Sequence, residues 1–259
     1  MNFLPPNGAL HGTALDHLLR LNLAIVFWLF VAAQALVILA LFRRASARSS
    51  QTSTITAKPS RALVLIDSAA LFAITGLYIW MLVSGHRLWA ASREQSPVCS
   101  ELSVEVTGVQ FQWYFRYPGA DGDYGATRPN LVSAPTGNPL GLDPSDPHSH
   151  DDIVTAILVL PAGRPVDLHL RAQDVIHGFF VPGMRLKQDA IPGMTGMLRF
   201  TPVTPGDYPI LCTQVCGLGH YRMQARLRVV SPAQFDTWLA ARETAALKAN
   251  NADAPGGTR

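Results

Sequence analysis

Two long apolar runs near the N-terminus constrain this chain more than any other feature. The first covers residues 21–42 with few polar side chains, and the second covers residues 62–84 with Asp67 as its one charged residue. A helix that crosses the hydrocarbon core of a bilayer needs about 20 apolar residues at roughly 1.5 Å each. The sequence therefore predicts two transmembrane helices, over residues 21–42 and 62–86.

The charges around these runs predict their orientation. A cleavable signal peptide has a basic start and an apolar core of only about 7–15 residues, so the longer first run is interpreted as a retained helix. Residues 43–61 carry five Lys and Arg residues and no acid, which is typical of a cytoplasmic loop. The tail 1–20 and everything after the second helix then lie outside. A multi-pass protein of the bacterial inner membrane is expected, with its soluble part in the periplasm.

After a predicted linker at residues 87–98, the pattern changes to short strands. Segments with period-two alternation or β-branched residues, bounded by Pro and Gly, occur at residues 102–109, 153–160, 166–170, 197–200 and 225–230. Many short strands without intervening helices favour a β-sandwich or barrel over residues 99–230.

Two further segments interrupt or follow the strands. Residues 118–152 are rich in Gly, Pro, Asp and Asn and predict an inserted surface loop, in which His148 and His150 are given no role. Residues 231–259 predict a C-terminal helix and tail, because Ser231 is a suitable N-cap and Pro232 suits the first helical position.

The segment Cys212-Thr-Gln-Val-Cys216-Gly-Leu-Gly-His220-Tyr-Arg-Met223 carries the chemistry. Thiolate and thioether groups suit copper, and imidazole suits copper, zinc or iron. One blue-copper site needs a single Cys, whereas two can bridge two metals. With His177 as a second imidazole, the segment predicts a binuclear copper centre.

Two alternatives stay open on residue types alone. A structural zinc site would use the same thiols and imidazoles but would leave Met223 without a function. A disulfide between Cys212 and Cys216 would leave the nearby His and Met unexplained. Cys99 stands apart from this segment and is interpreted as a bystander.

The pattern Cys-x-Gln-x-Cys-Gly-x-Gly-His-x-x-Met resembles the CuA loop of subunit II of the heme–copper oxidases, the cytochrome c oxidase family. Three more blocks resemble the same family in the same order: residues 112–117, residues 174–177 followed by Phe180-Val-Pro, and residues 186–193. The resemblance implies an all-β cupredoxin-like Greek-key sandwich, anchored by an N-terminal two-helix transmembrane hairpin.

The resemblance also implies residue roles. Cys212 and Cys216 would bridge both coppers, His177 and Met223 would complete one, and His220 with the Gln214 carbonyl would complete the other. Trp113 matches the position where electrons from cytochrome c enter. Asp174 matches an acidic position near the docking face of the cytochrome.

Two positions depart from the family pattern. Gln214 replaces a Glu that in many members also contributes to a magnesium or manganese ion at the interface with subunit I, which leaves that second ion unassigned here. Val64 stands where many members place a Glu for proton uptake, and Asp67, one turn deeper, is the candidate substitute.

The implied function is to accept electrons in an aerobic respiratory oxidase. A c-type cytochrome would reduce the copper pair, which would pass electrons to heme in subunit I for oxygen reduction and proton translocation, with other oxidase subunits present. The chain lacks Cys-x-x-Cys-His, so no covalent heme is expected on it, and no nucleic acid is an expected partner.

From Arg93 onward 14 basic residues stand against 16 acidic ones, which suits a cationic partner or an ordinary solvated surface. The alternatives are a nitric oxide reductase subunit with the same copper centre and a membrane-anchored copper chaperone or storage protein.

Overall fold

The computed structural model describes residues 4–47, 61–94 and 102–252. It divides into two compact units, one formed by residues 14–91 and the other by residues 1–13 and 92–259. Cys99 and most of the predicted loop 43–61 lie outside the described residues.

The first unit consists of two long helices, α1 (Gly12–Ala47) and α2 (Arg61–Glu94). Their apolar side chains are exposed, and both helices are long and apolar enough to cross a membrane. Each extends beyond the apolar run that predicted it. Hydropathy marks only the part of a helix that prefers lipid, whereas the backbone hydrogen bonds of a helix continue through polar residues. Asp67 lies in the second turn of α2.

The second unit is a sandwich of two five-stranded sheets, which confirms the predicted β-sandwich. The first sheet has the order β3 (Ile153–Thr155), β2 (Gln112–Tyr117), β1 (Leu102–Val109), β5 (Val166–Ala172), β8 (Gly196–Phe200). The second has the order β4 (Ile157–Pro161), β10 (Gln224–Val230), β9 (Gly206–Cys212), β6 (His177–Val181), β7 (Leu186–Ala190). The pairs β1–β5 and β4–β10 are parallel, and the other pairs are antiparallel.

One apolar core lies between the sheets. Val104 and Val106 of β1 and Leu227 and Val229 of β10 are all buried in it. Period-two alternation places these side chains inward because successive residues of a strand point to opposite faces. Residues 118–152 connect β2 to β3 through two single 3-10 turns, at Pro129–Leu131 and Pro147–Ser149.

The N-terminal segment, defined here as residues 4–11, packs against the sandwich. Its backbone forms bridging hydrogen bonds, from Gly8 N to Gly183 O at 2.8 Å and from Leu10 N to Thr201 O at 3.0 Å. Ala9 is fully buried in the core. The predicted tail is therefore part of the folded unit. The sequence of residues 4–11 does not predict this packing, because the hydrogen bonds are made to residues 183 and 201, far along the chain.

The C-terminal helix α3 (Pro232–Ala252) begins as the sequence predicts. Ser231 Oγ accepts from Gln234 N at 3.4 Å, and Ser231 N donates back to Gln234 Oε1 at 3.1 Å. This reciprocal capping satisfies backbone groups that have no partner within the helix. Phe235 and Trp238 then pack on Tyr117 of the core.

Candidate metal centre

Two strands of the second sheet bring the predicted ligands together. Strand β9 ends at Cys212, β10 follows Met223, and the connection between them is named here the copper loop (residues 212–223). Strand β6 pairs with β9 so that Phe179 lies opposite Cys212. His177, the first residue of β6, precedes Phe179 by two residues and lies on the same side of the strand. The sheet register therefore places a distant imidazole beside the loop.

Cys216 lies at the centre of the predicted ligands. Its Sγ is 3.9 Å from Cys212 Sγ, 3.7 Å from His220 Nδ1 and 3.7 Å from Met223 Sδ. The ligand atoms of His177, Cys212 and Cys216 all lie within 4.8 Å of one another. All four side chains of the loop pattern and the separate His177 thus converge on one small volume.

His177 presents one free ring nitrogen to this volume. Its imidazole is fully buried, and Nε2 donates to Asp174 Oδ1 at 2.8 Å. A carboxylate accepts only, so in the neutral imidazole a proton on Nε2 leaves Nδ1 with its lone pair. Nδ1 is buried without a hydrogen-bond partner among the described residues. A buried acceptor of this kind fits a metal ligand.

The two thiols are reduced and available. Their 3.9 Å separation is far beyond the roughly 2.05 Å of a disulfide bond. Burial, and then the neighbouring Cys212, raises the pKa of the Cys216 thiol to about 11. A metal cation stabilises the thiolate form against both effects. The Met223 thioether beside Cys216 suits copper, and thioether is not among the usual zinc ligands.

The backbone of Gln214, rather than its side chain, faces the thiols. Its carbonyl oxygen is 3.2 Å from Cys212 Sγ, facing the thiol pair. Its amide Nε2 instead donates to Asp189 Oδ2 at 2.7 Å. The side chain of Gln214 is thus bound to Asp189, while the backbone carbonyl of the same residue faces the thiols.

The two residues expected to meet the cytochrome have different surroundings. Trp113 is fully buried, with its ring centroid 5.8 Å from that of His177 and 5.3 Å from that of Phe179. Both carboxylate oxygens of Asp174 accept hydrogen bonds, from His177, Val175 N and Gln110 N. Burial alone would raise the pKa of Asp174, but these hydrogen bonds outweigh it and the pKa lies below its ordinary value.

The surface of the copper loop is strongly apolar. Leu218 is 99% exposed, Val215 is 86% exposed and Tyr221 is 68% exposed. Large apolar side chains so exposed on one short loop mark an interaction surface. A cleft of about 570 Å³ adjoins this surface, and the residues that line it include Ile176, Ile191, Val215 and Asp189.

Sequence reasoning missed three residues that shape the centre. Gly108 lies against the His177 ring, and a Cβ there would stand 2.8 Å from His177 Cδ2. Gln110 and Phe111 form the two-residue turn between β1 and β2 and contact the copper loop. The two-residue gap between strand patterns was the available signal, because such a gap is typical of a tight hairpin.

The comparisons with known proteins agree on one family. Residues 102–230 match the family model described as cytochrome C oxidase subunit II, periplasmic domain. The alternative cytochrome c oxidase subunit 2 of Bradyrhizobium diazoefficiens is 41% identical over 152 residues, covering 58% of this chain and 54% of that protein. Cytochrome c oxidase subunit 2 of Synechocystis is 34% identical over 140 residues, covering 54% of this chain and 33% of that protein.

Among solved structures, the periplasmic domain of subunit II of cytochrome oxidase from Bradyrhizobium japonicum is similar. It is 24% identical with a TM-score of 0.43, covering 58% of this chain and 99% of that chain. The match to the curated relatives spans about half of their length or less.

Proposed function

Because residues 102–230 of this chain belong to the cytochrome c oxidase subunit II family, we propose that it is the electron-receiving subunit of a heme–copper terminal oxidase. A c-type cytochrome donates electrons at a binuclear copper centre held by the copper loop and His177. The electrons continue to heme in subunit I, where oxygen is reduced to water and protons are translocated. Other oxidase subunits complete the complex.

The observation that carries this proposal is the convergence of five candidate ligand side chains, four from the copper loop and one from β6. Three of them lie 3.7–3.9 Å from Cys216 Sγ, and His177 lies within 4.8 Å of both thiols, which suits shared thiolates. Cys212 and Cys216 would bridge, His177 and Met223 would complete one metal, and His220 with the Gln214 carbonyl would complete the other. A bound copper pair supplies one-electron storage shared between two metals.

The protein around these donors keeps them fixed. Asp174 orients the His177 ring, and the Trp113 and Phe179 rings pack beside it in the core. Fixed ligands reduce the rearrangement that accompanies each electron transfer, because a rigid shell already has the geometry that both oxidation states need.

In this proposal the cytochrome that donates electrons contacts an apolar surface. A cytochrome cannot touch the buried Trp113, so we place this indole on the electron path between the surface and His177. Direct contact falls to Leu218, Val215 and Tyr221 at the copper loop. Asp174 is occupied by three hydrogen bonds and acts mainly on His177 rather than on the docking partner.

The membrane arrangement follows from the two candidate spans and the N-terminal segment. Two crossings return the chain to the side on which it began, and residues 4–11 pack on the sandwich. The basic loop 43–61 then lies in the cytoplasm, and both termini lie in the periplasm. The chain is proposed to be a protein of the bacterial inner membrane.

Electron transfer from a reduced c-type cytochrome tests this function. The copper-loaded full chain in detergent should accept electrons in stopped-flow mixing. Trp113→Phe should lower the limiting rate while copper content stays constant, because the indole beside His177 is lost. Tyr114→Phe is the matched control, because Tyr114 points to the opposite face of β2 and should leave the rate unchanged.

The salt dependence separates the two possible roles of Asp174. Asp174→Asn should change the reduction potential to a similar extent at low and high ionic strength, since its bonds are internal. A defect in the apparent on-rate that disappears in high salt would show instead that Asp174 steers the donor. A wild-type chain that accepts no electrons from any c-type cytochrome would overturn the proposed function.

A further inference from the structure

The turn between β1 and β2 touches both ligand-bearing segments of the candidate centre. Gln110 is the first residue of this turn, and its backbone N–H donates to Asp174 Oδ2 at 2.7 Å. The other oxygen of Asp174 accepts the His177 Nε2 proton at 2.8 Å. The backbone of Gln110 therefore fixes the carboxylate that orients the histidine ligand.

The side chain of the same residue reaches the other segment. Gln110 Nε2 donates to the carbonyl oxygen of Cys216 at 2.5 Å. Cys216 is the candidate metal ligand that lies closest to the other ligands of the copper loop. Gln110 thus connects His177, through Asp174, with the central thiol of the copper loop, although none of its atoms is among the predicted ligands.

Packing around this residue leaves the loop little freedom. Gly217 has a φ of +140°, and a Cβ at this position would stand 2.9 Å from Gln110 Nε2. A Cβ at Gly219 would stand 2.4 Å from the Phe111 ring. The copper loop therefore lies directly on the Gln110–Phe111 turn, and only residues without side chains allow so close an approach.

We infer that Gln110 is a positioning residue that clamps the Cys216 segment at a fixed distance from His177. Its backbone N–H bonds to Asp174 and its side-chain amide bonds to the Cys216 carbonyl, and these two segments are separated by more than thirty residues. Each bond therefore ends on a group beside a candidate ligand. Only the copper readout of this inference rests on the proposed function. The clamp itself is a property of the metal-free protein.

Hydrogen–deuterium exchange of the metal-free full chain in detergent tests the clamp. Gln110→Met keeps the backbone hydrogen bond to Asp174 and the length of the side chain, but it removes the amide N–H that bonds to Cys216. Peptides from residues 213–222 should then exchange roughly three- to tenfold faster, the range that a single hydrogen bond supports. Gln112→Met is the matched control two residues along the same hairpin and should exchange like the wild type.

A rescue variant separates the hydrogen bond from side-chain packing. Gln110→Lys restores an N–H donor on a flexible arm, so exchange in residues 213–222 should return most of the way to the wild-type rate. Equal exchange in Gln110→Met and wild type would overturn the inference. A Gln110→Lys variant that exchanges as fast as Gln110→Met would assign the effect to packing and would overturn it as well.

Copper retention supplies the second readout. Loss of copper from Gln110→Met to a chelator should be roughly tenfold faster than from wild type, as is common when an outer partner of a metal ligand is removed. The electron paramagnetic resonance signal should change in shape while two coppers remain bound. If the wild-type chain bound no copper pair, the proposed function would fail, and the exchange comparison would still decide whether the clamp exists.

Discussion

At the residue scale, Cys216 is the donor with the most neighbours in the candidate centre. Its Sγ lies within 3.9 Å of donor atoms of Cys212, His220 and Met223. Cys216→Ser should therefore abolish the shared-spin copper signal, because a hydroxyl is a poor bridge for copper. Gln214→Ala should retain both coppers, since the carbonyl that faces Cys212 remains.

Metal analysis and electron paramagnetic resonance of both variants check this ranking. Loss of copper from Gln214→Ala as complete as that from Cys216→Ser would show that the Gln214 side chain, and its bond to Asp189, is required.

The copper loop could be identified from sequence because its ligands lie within one short segment. His177 was a candidate only because a second imidazole was needed and the family resemblance agreed, since its approach to the loop depends on the pairing of β6 with β9. The roles of Gln110 and Asp174 depend on a hydrogen bond between residues 64 positions apart. No local pattern encodes such a contact, which arises only when β1 and β5 pair in the first sheet.

At the scale of elements, a buried arginine holds the inserted loop 118–152 against β1 and β2. Arg116 is 2% exposed, and its guanidinium contacts Glu105 at 3.1 Å, the Gly125 carbonyl and the Asp152 carboxylate. Burial raises the pKa of Asp152, and the bonds from Arg116 oppose that shift. This network explains how a loop with little regular structure stays ordered on the sandwich.

Removing this arginine should be costly. Arg116→Met should lower the free energy of unfolding by about 3–5 kcal/mol, because Asp152 is left buried without its cation and Glu105 keeps only its ion pair with Arg171. Arg128→Met is the control, since Arg128 is 60% exposed beside Asp143 in the same loop and should cost only about 0–1 kcal/mol. Urea unfolding of the two variants measures the difference. Equal losses would contradict the assignment of the buried network as the anchor.

The N-terminal segment should respond to pH through His11. Burial lowers the pKa of this imidazole, and nearby Arg185 lowers it further, while a hydrogen bond with the Met184 backbone opposes both. A lowered pKa means that the docked segment is favoured above the ordinary value of about 6.5 and loses stability as pH falls below it. Residues 4–11 should therefore exchange faster at pH 5 than at pH 7, after correction for intrinsic rates.

His11→Phe removes the titrating group and should flatten this dependence, whereas His17→Phe on α1 should preserve it. A wild-type segment whose corrected exchange is the same at both pH values would contradict a role for His11.

Strand prediction succeeded where one face of the strand is apolar. Strands β1, β5, β8 and β10 each place alternate residues in the core, and each was predicted within two residues of its bounds. Strands β2, β6, β7 and β9 were not predicted, and the single strand predicted over residues 153–160 is wrong, because β3 and β4 lie there in different sheets. Strand β7 has the sequence Leu-Lys-Gln-Asp-Ala, which is buried only at its two ends. Its strand conformation results from backbone pairing with β6 rather than from its own pattern.

At the scale of the whole molecule, the chain combines two candidate membrane helices with a sandwich that carries a candidate metal centre at one end of a sheet. The helices were predicted from hydropathy and the sandwich from alternation, because both patterns are local. The attachment of residues 4–11 to the sandwich was not predicted, since its backbone hydrogen bonds are made to Gly183 and Thr201, far along the chain.

Copper stoichiometry of the full chain tests the central claim most directly. The purified chain in detergent is reduced, loaded with copper, freed of excess metal and examined by metal analysis and electron paramagnetic resonance, with competing zinc in a parallel sample. The account predicts two coppers per chain, one unpaired electron shared over both nuclei, and retention of copper in the presence of zinc. One copper per chain, a spin confined to one nucleus, or replacement by zinc would contradict the binuclear centre.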